Sequence, residues 1–169
     1  EPATVYANLG TGAFLQRSCP GGIDESGRLL ASVVYQDTRR SVEVVEGTVN
    51  GAGSAIAAIA GELAITQQRV EAEATIWLEN FSADLLFLNA VSGLGSPWWR
   101  ADTESHFVGA AVETAAAADK LAAVMESIVF LLLVNLLELN RLTNRPARLL
   151  VTGGLAVIDP LLQRLANLA

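Results

Sequence analysis

Apolar and polar positions alternate through the first third of this chain and then switch to a helical period. Residues 4–8 and 13–17 read as two strands joined by a Gly10-Thr11-Gly12 turn. Residues 29–35 are rich in β-branched side chains, and residues 41–46 alternate, so an antiparallel meander opens the chain. Cys19-Pro20-Gly21-Gly22 and Glu25-Ser26-Gly27 supply its turn chemistry. From Gly51 the pattern predicts a helix of small residues ending near Leu63, and a second helix over 67–80 with Trp77 on its apolar side. Residues 85–89 predict a short buried strand and 107–109 another. The longest helix is expected over about 115–140, with a wide apolar face and therefore mostly buried. A strand over 148–151 and a helix over 160–168 close the pattern. Strands followed by alternating helix and strand imply an α/β domain with a mixed sheet and helices on both faces.

Glycines punctuate this pattern at strand ends. The strand at 148–151 runs into Thr152-Gly153-Gly154-Leu155-Ala156-Val157-Ile158-Asp159-Pro160, with Asp159 placed to cap a helix and Pro160 to begin it. Bare glycine backbone at the carboxyl end of a strand lets a ligand approach closely, and open α/β sheets collect ligands at that edge. Gly10-Thr11-Gly12 has two readings: a phosphate cradle made of N–H groups and the Thr11 hydroxyl, or a plain hairpin turn. Gly51-x-Gly53 also has two: an anion contact at a helix start, or close helix–sheet packing. Ser96-Pro97-Trp98-Trp99 could line a sugar site or an interface, but core filling is the favoured role for such aromatics.

Composition narrows the classes. At 169 residues the chain suits one well-buried domain spanning 1–169. A net charge of −7 with no basic cluster argues against nucleic-acid binding. Mean hydropathy of +0.39 with 17% charged residues suggests a face that packs against something else. The apolar run 128–137 is broken by Asn135 and flanked by Glu126 and Glu138, so a core helix is expected and no membrane span. Cys19 is the only cysteine, which fits a reducing compartment. The start lacks a methionine and a signal-like run, so the chain is expected to be a piece of a longer protein.

Candidate chemistry is one-sided. His106 is the only histidine, no Cys/His/carboxylate cluster has metal spacing, and Gly-x-Ser-x-Gly is missing. Asp102, Glu104, Asp119 and Glu126 fit loop or helix surfaces, and no carboxylate pair suggests an acid/base dyad. Backbone cradles are present without a catalytic base.

Four segments in order resemble the C-terminal domain of the FGGY carbohydrate kinases. Asn8-Leu9-Gly10-Thr11-Gly12-Ala13-Phe14 is similar to the family's phosphate loop. Glu46-Gly47-Thr48-Val49-x-x-Ala52-Gly53 is similar to its helix entry. Asn89-x-x-x-Gly93-Leu94-Gly95-Ser96-Pro97-Trp98-Trp99 looks most like the corresponding loop of glycerol kinases. The fourth is the Gly153-Gly154 loop followed by Gln163.

The resemblance implies a ribonuclease H-like, actin-like ATPase fold and a second, N-terminal domain elsewhere in the protein. It implies ATP with Mg2+ as cofactors and a sugar or polyol as partner, in the cytoplasm, with a homo-oligomer open. By position, Gly10, Thr11 and Gly12 would meet the phosphates. Gly53, Gly153 and Gly154 would approach the nucleotide, and Phe14 would wall the substrate pocket. Ala57 and Ile158 stand where the family often has polar residues that hold the nucleoside. The family's general base, an aspartate upstream of the Gly-Thr-Gly loop, lies outside this chain, so these 169 residues alone are expected to be inactive. A non-catalytic, sensing relative of the same fold is the alternative.

Overall fold

The computed structural model describes residues 4–19, 26–142 and 148–169. The expected turn residues Pro20, Gly21, Gly22 and Glu25 lie outside them. Elements follow in the order β1 (Thr4–Leu9), β2 (Ala13–Ser18), β3 (Leu30–Gln36), β4 (Ser41–Val49), α1 (Gly53–Glu62), α2 (Gln67–Glu79), β5 (Leu86–Leu88), β6 (His106–Val108), α3 (Ala117–Arg141), β7 (Arg148–Thr152) and α4 (Asp159–Leu168). A short 3-10 turn, Gly154–Val157, joins β7 to α4.

Five strands form one mixed sheet in the order β3-β4-β2-β1-β7. The pairs within β1 to β4 are antiparallel, and β1 runs parallel to β7. Register aligns the inward residues in rows: Val5, Arg17 and Val45; Ala7, Leu15 and Gly47; Leu9, Ala13 and Val49. α3 lies over these rows. Gly47 is required there, because a Cβ would meet Asn135 Oδ1 at 2.6 Å. The 25-residue α3 buries Leu121, Met125, Ile128, Leu132 and Leu139 and packs on β4, β2, α1, α2 and α4. It is long and apolar enough to cross a membrane, yet two-thirds of its most apolar window is buried within the domain. Its apolar width is therefore spent on contacts inside the protein.

The fold class is the expected mixed α/β, but one detail differs. Among the described residues the helices cover a single face of the main sheet. On the opposite face Tyr6, Phe14 and Leu150 are 49%, 42% and 37% exposed. Alternation along β1 and β2 carries this information: one side is buried and, apart from Arg17, apolar, and the other mixes aromatics with Asn8 and Gln16.

Three smaller expectations are also corrected. The strand at 85–89 is short and half-exposed, because β5 pairs with β6 in a separate two-stranded sheet. Glu126 is not on a helix surface. It is 1% exposed and carries an ion pair to Arg164 that ties α3 to α4. Asp159 is the first residue of α4 and makes no cap, Ile158 holding the N-cap position.

A second buried acid, Glu138, accepts from Arg28 at 2.7 Å and from Arg141 at 2.8 Å. The Arg28 hydrogen bonds, opposed by burial, hold its carboxyl below the usual range.

Candidate nucleotide cleft

The Gly10-Thr11-Gly12 turn is held by backbone contacts from three sides. Gly10 N–H donates to Gly12 C=O at 2.9 Å. Behind it, Gly53 N–H donates to Gly10 C=O at 2.9 Å, and Ala52 and Ser54 N–H both donate to Thr11 C=O at 3.0 Å. The Ser54 hydroxyl adds a third bond to the same Thr11 oxygen, 3.0 Å. α1 has no side-chain cap at Ala52, so the turn's carbonyls cap it instead. A Cβ at Gly53 would meet Gly10 O at 2.7 Å, which only glycine avoids. Of the two readings of Gly51-x-Gly53, close packing is the one this geometry shows; the Gly53 amide is already engaged.

The third corner arrives from β7. Gly153 sits at φ +102°, and a Cβ there would lie 2.4 Å from Leu9 O. The chain turns over the end of β1 and enters the 3-10 turn with Gly154, where a Cβ would meet nothing within 4 Å. The three corners thus converge on one open cleft of about 670 Å³. Gly10 and Thr11 form its floor, and Gly53, Ser54 and Ala57 of α1 form one wall. Gly154 and Leu155 form a second wall, and Gln67 and Glu71 of α2 a third.

Among the described residues no lysine or arginine lines this cleft. An anion there would be met by backbone dipoles and by the Thr11 hydroxyl, the Ser54 hydroxyl proton being engaged by Thr11 C=O.

The profile for the C-terminal domain of the FGGY family of carbohydrate kinases matches residues 5–169. The chain belongs to that family. It is 27% identical to a glycerol kinase of Alcanivorax borkumensis over 98% of its own length and 33% of that protein. It is 30% identical to a glycerol kinase of Nitrosomonas eutropha over 68% of its length and 23% of that protein. Among solved structures it resembles a xyloylose kinase from Brucella ovis (TM-score 0.82, 23% identity, 98% of this chain and 34% of that one). It also resembles the Plasmodium falciparum glycerol kinase with ADP (TM-score 0.78, 23% identity, 94% of this chain and 32% of that one). The FGGY chain spans about a third of the length of the curated relatives it matches.

Within this FGGY domain the expected site residues fall into three groups. Gly10, Thr11, Gly53, Ala57 and Gly154 line the cleft together. Gly12 and Gly153 stand behind it; a Cβ at Gly12 would press on Val49 O at 2.9 Å. Ile158 does not reach the cleft, being 8% exposed and part of the apolar core.

Phe14 lies around the sheet edge in a second hollow, on the uncovered face, with Tyr6, Asn8, Gln16, Glu46, Leu150 and Thr152. The chain links the two hollows at the ends of β1 and β7: Asn8 and Thr152, which pair, line the second, and the residues that follow each strand lead into the glycine corners of the first.

Ser96-Pro97-Trp98-Trp99 departs from the core-filling reading. Trp98 and Trp99 are 46% and 39% exposed, and the Trp99 Nε1 donates to Arg28 O at 3.0 Å. The buried member of the motif is Ser96. Its N–H donates to Thr48 C=O at 3.1 Å, and its Oγ accepts from Thr48 N–H at 2.5 Å. β3 stops pairing with β4 at Glu46, so this loop takes over the edge beside Thr48. Asn135 completes the anchor. Its Oδ1 accepts from Ser96 Oγ at 2.6 Å, and its Nδ2 donates to Ser96 O at 3.2 Å and Leu131 O at 2.9 Å.

Sequence reasoning saw Asn135 only as an interruption of an apolar run. Its polar group at an inward helical position was the available signal. Gln67 and Glu71 were missed as cleft residues, since nothing local distinguishes them from a solvated helix face.

Proposed function

We propose that the protein containing this chain is an ATP-dependent sugar or polyol kinase working in the cytoplasm, and that this domain supplies the nucleotide half-site. The observation that carries the reading is the convergence of the Gly10–Gly12 turn, Gly53 and Gly154 on one cleft. The residues present fit a nucleotide. Glycine is enforced where a side chain would collide, and Ala57 and Leu155 leave apolar wall for a base.

In this reading the phosphate tail lies over Gly10 and Thr11, and the acceptor hydroxyl comes from the hollow that holds Phe14. Phosphoryl transfer rests on positioning and electrostatics, which suits a site built from fixed main-chain groups. Mg2+ fits only as an ion carried by the phosphates, because no carboxylate among the described residues stands at that end of the cleft; when bound it would neutralise charge on the transferred group. Thr11 would orient the tail, and Phe14 would exclude water from one side of the acceptor. The proton of that hydroxyl goes to a carboxylate supplied by the N-terminal domain, whose closure would seal the cleft.

The test is a screen of small polyols, pentuloses and sugar acids with ATP and Mg2+ on the full-length protein. Phosphorylation of one class, with none by the 169-residue chain alone, is the expected result. The sensing alternative is favoured by Ala57, and it would be supported if the full-length protein bound ATP and turned over none of these compounds.

A further inference from the structure

Polar recognition at the nucleoside end of the cleft has to come from somewhere other than α1. Position 57 is alanine, and Ile158 is buried in the core. Among the described residues that line the cleft, the only side chains that carry a carboxamide or a carboxylate are Gln67 and Glu71. Both lie on α2, which begins at Gln67 with Thr66 as N-cap, so they are one turn apart and share a face. Gln67 Nε2 donates to Glu71 Oε1 at 3.0 Å. That bond uses one carboxylate oxygen and fixes the orientation of the group, while the second oxygen has acceptor capacity to spare. Phosphates do not suit this wall, since a carboxylate repels them. A pair of hydroxyl donors does: vicinal hydroxyls of a ribose present two O–H groups that an ionised carboxylate accepts.

We propose that Glu71, oriented by Gln67, is the ribose-recognising residue of this cleft, taking over nucleoside recognition from positions 57 and 158. The inference rests on the nucleotide reading above. It assigns α2 a binding role and makes the site selective for ribonucleotides over their deoxy forms.

The experiment is calorimetric titration of the full-length protein with ADP and with 2′,3′-dideoxy-ADP. Wild type should bind ADP about tenfold or more tightly than the dideoxy form, as expected for a lost hydrogen bond to a charged group. Glu71→Ala should bring the two affinities within about twofold by weakening ADP alone, and Gln67→Ala should give an intermediate ratio. Both positions are exposed, so thermal denaturation should show the variants folded.

If wild type prefers ADP and Glu71→Ala keeps the full preference, or weakens both ligands equally, the ribose assignment is overturned and the nucleotide reading stands. An equal affinity of wild type for both ligands also overturns the assignment. If wild type binds neither ligand, the nucleotide reading itself falls.

Discussion

The two ends of the cleft are built from different material. At the proposed phosphate end the walls are main chain. Gly10, Thr11 and the start of α1 at Gly53 interlock through backbone bonds of 2.9 to 3.0 Å, and Gly153 lies so close to Leu9 that a Cβ there would collide with its backbone. At the proposed nucleoside end the walls are the side chains of Ala57, Leu155, Gln67 and Glu71. Main-chain construction tolerates almost no substitution, because a Cβ collides with backbone that cannot move away. Side-chain construction can be rebuilt from a neighbouring helix without disturbing the sheet.

The largest expected effect comes from breaking the main-chain end. Gly153→Ala puts a Cβ against Leu9 O in a conformation that L residues rarely adopt. Stability should fall by about 3 kcal/mol or more, read as the shift in denaturant midpoint.

Asn135→Ala strikes the buried network between α3 and the Ser96 loop: Ser96 Oγ–H and Ser96 C=O lose their Asn135 partners, while the bonds to Thr48 remain. A loss of about 2 kcal/mol is expected in the same assay.

Gly154→Ala separates ligand space from fold. A Cβ there meets nothing within 4 Å in the protein, so stability should stay within about 0.5 kcal/mol of wild type. A nucleotide lying against the bare backbone would be displaced, and ADP affinity should drop about tenfold by calorimetry.

The smallest effect belongs to the side-chain end. Ala57→Gln offers a new polar contact from α1 and should tighten ADP by no more than about tenfold, with unchanged stability. A collapse of stability on Ala57→Gln, or unchanged ADP affinity on Gly154→Ala, would erase the contrast between the two ends.

The same division decides what could be read from the sequence. The glycine corners were legible because their chemistry is local: a strand, a bare turn, then a helix. Helix and strand spans were also legible, since α3 and β1 follow their periods cleanly. The uncovered sheet face was not, although alternation along β1 and β2 encodes two sides, because nothing local says which side is covered. Ile158 illustrates a second limit. Its position after the glycine pair suggested a cleft residue, but the 3-10 turn at Gly154–Val157 rotates it into the core. Trp98 and Trp99 suggested core filling by size alone, whereas Ser96 is the residue the buried network holds. Gln67 and Glu71 carry no local mark at all; only the packing of α2 near α1 brings them to the cleft.

The account depends most on three main-chain corners receiving a nucleotide together. Hydrogen–deuterium exchange of the full-length protein, with and without ADP and Mg2+, tests this directly. Protection concentrated in the segments carrying Gly10–Gly12, Gly53–Ala57 and Gly154–Leu155 is the predicted result. Exchange unchanged in all three, or protection confined to the sheet face around Tyr6 and Gln16, would contradict it.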